Sequence, residues 1–280
     1  MTYIVHGATG AQGSPVLAAL KAHGHPAVAA VRDVSTIDGP AVAVDYSSVH
    51  SLVQAYEGAE GVFVHLPLGR PEDQTAFAET IGEAVRRARP ARVVFSTSGY
   101  SVEHNNEGSD GPSTMLRELE ASAVSYAVVE PRLYLENLLM PAIHEPALAE
   151  GVLRYPLRED YATSWSSHLD VADVVVHLLV NRDVTGIVSV GALPGLLGAD
   201  LAAGFSKGFK KEIVFEALSP EGFGELIVPV FGEAAAVPVV ESYKYRQGQT
   251  DELIPEARSA QKLLGLEPRS VELWLRDLRL

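Results

Sequence analysis

The chain has no cysteine, which excludes disulfides, thiolate nucleophiles and cysteine-ligated metals. It is also short of positive charge, with 22 Lys and Arg against 36 Asp and Glu and a formal net charge of −14. Nucleic acids and anionic membrane surfaces are gripped by clustered Lys and Arg, so neither is expected as a partner. Lysine is missing altogether between Lys21 and Lys207. No apolar run approaches the roughly 20 residues that a membrane-spanning helix needs. The nine histidines do not fall at metal-ligand spacings, so no metal is expected. The opening residues lack a basic, apolar leader, and the expectation is a soluble cytoplasmic protein. Internal repeats and low-complexity segments are absent too.

What the chain does have is apolar residues (47%) spread over 280 positions, enough to bury the core of one large α/β domain or of a domain with an appended lobe. The organising stretch comes first. Tyr3 to His6 reads as a short buried strand, Gly7-Ala8-Thr9-Gly10-Ala11-Gln12-Gly13 as a G-x-x-G-x-x-G turn, and Ser14 to Ala22 as a helix with an apolar face. Strand, glycine turn and helix together make a phosphate site. Gly7 permits the tight turn, Gly10 lets the backbone approach a pyrophosphate, and Gly13 lets helix and strand pack closely. The helix start adds unpaired N–H groups and the positive end of a dipole. Ala27 to Val31 is the next strand, and Arg32 follows it where an adenosine ribose would lie. An Arg there accommodates a 2′-phosphate, which favours NADP(H); Asp33 leaves NAD(H) open.

Further strands are read at Ala41–Val44, Gly61–His65, Arg92–Ser96 and Ser125–Val129, with helices over Ser47–Tyr56, Pro71–Arg89 and Ser113–Ala123. Near-continuous apolar strands separated by helices predict a parallel sheet covered on both faces. The fold class is therefore α/β: a Rossmann doubly wound parallel sheet over residues 1–150, with a smaller C-terminal α/β substrate lobe over 151–280. Whether the chain crosses between the two is left open. Ligands of such sheets bind at the carboxyl ends of the strands. That places His65, Leu66 and Pro67, and the run Ser96-Thr97-Ser98-Gly99-Tyr100, beside the cofactor. Asp45 would either face the adenine or cap a helix. The polar segment from Val102 to Ser113 reads as a loop over the cleft.

With these residues assembled, the chain resembles the NmrA-like branch of the atypical short-chain dehydrogenases/reductases. The resemblance rests on Gly7-Ala8-Thr9-Gly10-Ala11-Gln12-Gly13, Arg32, Val93-Val94-Phe95-Ser96, Glu130-Pro131-Arg132-Leu133-Tyr134-Leu135-Glu136-Asn137 and His168-Leu169-Asp170-Val171-Ala172-Asp173-Val174. It implies an NAD(P)-binding Rossmann domain, with Pro131 beside the cofactor, and a small lobe that shapes a substrate pocket. Its members include quinone reductases, reductases of aromatic natural products, and regulators that bind the dinucleotide without turning it over.

Ordinary short-chain dehydrogenases use a Tyr with a Lys four residues later, the Lys lowering the phenol pKa for proton exchange with a carbonyl. No tyrosine here has Lys at that spacing, and the related lysine after the fifth strand is missing as well. A sugar-nucleotide epimerase is disfavoured for the same reason. Two readings remain. One is an NADPH-dependent reductase of a quinone or polyaromatic ketone, in aromatic natural-product metabolism, for which orienting the nicotinamide is most of the task. The other is a non-catalytic redox sensor. Proton-donor candidates are Tyr100 and His104, juxtaposed if their loop were helical, and Ser98; Ser96 and Thr97 are alternatives. Tyr134, Asn137, Leu138, Trp165 and His168 are candidate substrate contacts for a flat aromatic molecule. The oligomeric state is left open.

Overall fold

The computed structural model describes residues 2–102 and 108–280. Seven strands form one parallel sheet: β1 (Thr2–His6), β2 (Ala27–Val31), β3 (Ala41–Ala43), β4 (Ala59–His65), β5 (Val93–Ser96), β6 (Tyr126–Pro131) and β8 (Gly186–Val190), in the order β3-β2-β1-β4-β5-β6-β8. The chain winds outward from β1 through β2 to β3, then returns to β4 and winds the other way. The switch point therefore lies between β1 and β4, and a crevice opens there at the carboxyl ends of the strands. Residues 7 and 65–67 sit at that opening.

The strands are apolar on both sides because both sides are covered. One core layer takes alternate residues (Ile4, Val62, Val64, Val93, Phe95, Val128) together with α2 (Val49–Tyr56), α3 (Pro71–Ala88) and α4 (Gly111–Ala121). The intervening Val5, Phe63, Val94 and Val129 are equally buried on the opposite side, where α1 (Gly13–Ala22) packs with α6 (His168–Val180). Helix starts follow local chemistry. Ser48 and Asp110 accept from backbone N–H groups in the first turns of α2 and α4, and Pro71 opens α3. Arg92, wholly buried, donates to the carbonyls of Leu178, Tyr126 and Val184 and to the Ser125 hydroxyl. It thereby ties the start of β5 to α6 and to the turn before β8. Burial and Arg182 pull its pKa down to about 10.

The chain divides into two compact units. The first comprises residues 1–131, 168–190 and 257–266, and so takes in α10 (Ala260–Leu264). The second comprises residues 132–167, 191–256 and 267–280. The boundary expected near residue 150 thus falls inside the second unit. The physical reason is that the sheet needs α6 and β8, both from beyond residue 150, to cover and complete it.

The second unit contains α5 (Pro141–Glu150), the parallel pair β7 (Val152–Tyr155) and β9 (Val214–Ala217), α7 (Gly198–Phe209), α8 (Pro220–Phe231), α9 (Glu233–Gln247) and α11 (Val271–Asp277). Its core is aromatic: Tyr155 meets Trp165, Phe223 and Tyr243 at ring separations of 5.4–5.6 Å, and the Tyr155 and Tyr243 hydroxyls are hydrogen-bonded. Among the described residues no helix is long and apolar enough to cross a membrane.

Candidate functional site

The site is built from the β1–α1 turn upward. Gly7 has φ +60°, and a methyl group placed on it would overlap the His65 imidazole, so the ring occupies the space a side chain would need. Gly13 is closed for a different reason: its methyl would run into the carbonyls of His6 and Gly7, well under 3.0 Å away. Gly10 is less crowded but not open: its methyl would press on the Gly7 carbonyl oxygen at 3.3 Å, which would have to give by a few tenths of an ångström. The turn is drawn tight by Gly10 N–H donating to Gly7 O at 2.8 Å and Ser14 N–H to Gly10 O at 3.0 Å. Helix α1 begins with no side-chain cap and no acidic residue in its first turn. Ser14 N–H is already spent on Gly10 O and Pro15 has no N–H, so the capacity for an anion at this end rests on the amides ahead of Ser14.

Gln12, which precedes that helix, does something else. Its Nε2 donates to Ser98 Oγ and its Oε1 accepts from Ser96 Oγ, both at 2.8 Å. The glycine turn is thus fastened to the end of β5. Ser98 has φ +58°, a left-handed conformation that a serine adopts only when its surroundings impose it. Ser96 and Ser98 are therefore committed to holding the two loops together. Thr97 is not: its Oγ1 is buried and has no hydrogen-bond partner among the described residues.

A cleft of about 930 Å³ opens over this turn, lined by Gly7, Thr9, Arg32, Tyr46, His65 and Phe77 among others. Arg32 is exposed in it and has no salt-bridge partner among the described residues. Asp33 also lines the cleft, but its carboxylate accepts from Ser35 N–H at 2.9 Å and Ser35 Oγ at 2.7 Å, and these bonds hold its pKa below the usual value. His65 donates from Nδ1 to its neighbour's carbonyl, Leu66 O, at 3.3 Å, and burial lowers its pKa. Its Nε2 is buried without a partner among the described residues. His168, at the start of α6, is pushed down to about 4 by burial and by the nearby His65.

Of the residues expected at the cofactor, Gly7, Thr9, Arg32, His65 and Pro67 line the cleft. Gly10, Ala11, Gln12 and Gly13 continue the turn that begins at Gly7 but do not line the cleft, and Ser96 and Thr97 stand at the end of β5. Leu66 is buried beneath the rim, and Pro131 closes β6. Asp45 takes no part in the lining. Its carboxylate accepts from Ser47 N–H at 2.9 Å and Ser47 Oγ at 2.6 Å in the turn before α2. Tyr46, Phe77, Thr36, Leu68 and Asp73 line the cleft and were missed by sequence reasoning. For Tyr46 a signal existed, since it follows Asp45 at the end of the third strand; for the others there was none.

Tyr100 is exposed, and residues 98–102 form a turn and extended chain, so the helix that would juxtapose it with His104 is not present over these residues. His104 itself lies outside the described residues. Tyr134, Asn137, Leu138 and Trp165 all fall in the second unit, where Leu138 and Trp165 are buried and the Asn137 side chain bonds the Tyr155 hydroxyl. His168 falls in the first.

The model of the NmrA-like family matches residues 1–275. The chain belongs to that family. No curated protein matches it. One solved structure it resembles is a nucleoside-diphosphate-sugar epimerase from Staphylococcus aureus, at 22% identity and TM-score 0.77 over 99% of this chain and 100% of that one. Another is the triphenylmethane reductase of Citrobacter sp. complexed with NADP(H), at 16% identity and TM-score 0.81 over 99% of both chains. A third is an NADPH-dependent quinone oxidoreductase of Escherichia coli, at 19% identity and TM-score 0.77 over 100% of both chains. Identities this low establish the NmrA-like fold of the chain and nothing finer.

Proposed function

We propose that this chain is an NADP(H)-dependent reductase that delivers hydride to a quinone or a polyaromatic ketone. The observation that carries the cofactor half of this reading is the contrast between Arg32 and Asp33: the cation is free in the cleft, and the carboxylate is turned into a local cap. A 2′-phosphate would meet a ready guanidinium, whereas a bare ribose would find its usual acidic partner already engaged. The amides of the glycine turn that are not spent within it, those ahead of Ser14, would hold the diphosphate. Thr97 Oγ1 would give its unused hydrogen-bonding capacity to the nicotinamide amide. Ser96, Gln12 and Ser98 keep the loops on either side of that position in register. When bound, the nicotinamide supplies the hydride.

The acceptor half rests on what the residues lack. With no Tyr-x-x-x-Lys pair and with Tyr100 turned to solvent, the described residues at the end of β5 offer no strong proton relay. A quinone needs none, because its reduced anion is stabilised by the ring and can take its proton from water. The E. coli quinone oxidoreductase and the Citrobacter dye reductase, both of this fold, support that substrate class. Aromatic natural-product metabolism would supply such molecules.

Steady oxidation of NADPH in the presence of a quinone panel tests the reading. Turnover with quinones, and Kd values lower for NADPH than for NADH, is the expected result. Tight NADPH binding without turnover on any acceptor would replace it with a dinucleotide sensor, for which oxidised and reduced cofactor must bind with different affinity.

A further inference from the structure

Beneath the cleft wall runs a polar chain that the reading above leaves unused. His6, the last residue of β1, is fully buried; its Nδ1 lies 2.9 Å from the Tyr46 hydroxyl and its Nε2 lies 2.8 Å from the Tyr56 hydroxyl. Burial brings the His6 pKa down to about 3 and raises both phenols, Tyr46 to about 12. At working pH all three side chains are therefore neutral. A neutral imidazole has one N–H, so one tyrosine must donate to it and the other must accept from it.

Tyr56 decides which. It is completely buried, and among the described residues its hydroxyl meets His6 Nε2 and no other partner. Were it to accept from Nε2–H, its own proton would be buried without an acceptor, the costlier arrangement. Tyr56 therefore donates to Nε2, and Nδ1–H donates to the Tyr46 oxygen. The Tyr46 proton is left directed away from His6. Tyr46 lines the cleft beside Arg32, its ring held against His6 at 5.3 Å and against Phe77 at 5.7 Å.

We infer that Tyr46 is a hydrogen-bond donor to an acceptor on the adenosine half of the dinucleotide, and that His6 and Tyr56 are positioning residues that set the direction of its proton. The inference rests on reading the cleft as a dinucleotide site. The adenosine half is assigned because Tyr46 lies three residues beyond β3 and lines the same cleft as Arg32, where the ribose 2′ position would be met. Ring nitrogens and ribose oxygens there are acceptors common to NADP(H) and NAD(H). A donor at the end of a Tyr56→His6→Tyr46 chain is polarised by the bonds behind it, which strengthens the bond it makes.

Two measurements test this. Long-range ¹H–¹⁵N spectra of histidine-labelled protein, with His6 identified by the signals lost in His6→Gln, should show His6 protonated at Nδ1; protonation at Nε2 would overturn the inference with no ligand involved. Titrations with NADPH and NADH then compare variants. Tyr46→Phe should weaken both nucleotides by about the same factor, three- to tenfold. Tyr56→Phe, which does not line the cleft, should weaken them similarly, with no further loss in the double variant. His6→Asn keeps a polar group where Nδ1 stood and should retain more affinity than His6→Gln. Affinities that merely follow thermal stability across the series, or a Tyr46→Phe loss confined to NADPH, would refute the assignment. Failure of the unaltered protein to bind either nucleotide would remove the cofactor reading itself.

Discussion

Gly10→Ala and Gly13→Ala make a paired experiment, because the same added methyl meets two different surroundings. At Gly13 it would strike two backbone carbonyls, and no side chain can rotate to relieve it. Helix α1 must move off β1, an overpacking cost of about 1–3 kcal/mol. For a chain of this size that corresponds to a fall in Tm of roughly 2–10 °C. At Gly10 the nearest atom is 3.3 Å away and φ is not in the left-handed region. There the methyl presses on one backbone oxygen that must give by a few tenths of an ångström, and the stiffer unfolded chain returns about 0.4–1 kcal/mol. Tm should therefore fall less than in Gly13→Ala. What Gly10→Ala removes is close backbone approach to a phosphate. Losing one charge-assisted bond of about 1.5–3 kcal/mol weakens NADPH roughly 10- to 100-fold. Differential scanning calorimetry and fluorescence titration of NADPH on both variants provide the check. A Gly10→Ala protein that binds NADPH like the parent would show that this turn does not grip a diphosphate.

Three other outcomes are expected. Arg32→Ala should weaken NADPH at least tenfold while changing NADH less than about twofold, since a charge-assisted bond to the extra phosphate is all that is lost; equal losses in the two titrations would remove its phosphate role. Gln12→Leu strands the buried Ser96 hydroxyl and frees the strained Ser98, so calorimetry should show a stability loss of about 1–3 kcal/mol together with weaker NADPH binding. His6 and His168 are depressed to about 3 and 4, so below pH 6.5 the unfolded chain takes up protons that the folded one refuses. Stability should be insensitive to these groups above pH 6.5 and fall by about 1.4 kcal/mol per pH unit per histidine toward pH 4, the slope dropping by one proton in His6→Asn.

The sheet was legible in the sequence because its strands are buried on both faces and its turn residues are explicit; Gly7 makes the tight turn and Gly13 the close packing that their spacing implied. The helices of the second unit were harder. Helix α7 carries Gly198, Gly204 and Gly208, which weaken a helical reading, yet Gly204 and Gly208 are small so that Val271 and Leu275 of α11 can approach. Helices α5 and α9 contain Pro146 and Pro238 and lack a clear apolar face, so no periodicity announces them. In the candidate site, Arg32 and the glycine turn could be named from the sequence because each would act through its own chemistry. Gln12, Ser98 and His6 are bonded to partners 40 to 86 positions away, such as Ser98 for Gln12 and Tyr46 for His6, and pairings at that range leave no local trace.

The passage of the chain between its two units bears on how the protein is made. Strand β8 closes one edge of the large sheet by pairing with β6, and a bridge from Ser189 to Ser259 brings α10 alongside it. A nascent polypeptide that has emerged only as far as β6 still exposes that edge to any neighbouring strand. The first unit can reach its finished form only after residues 257–266 have been made. Truncation at residue 150 should accordingly yield an aggregating fragment rather than a small binding module.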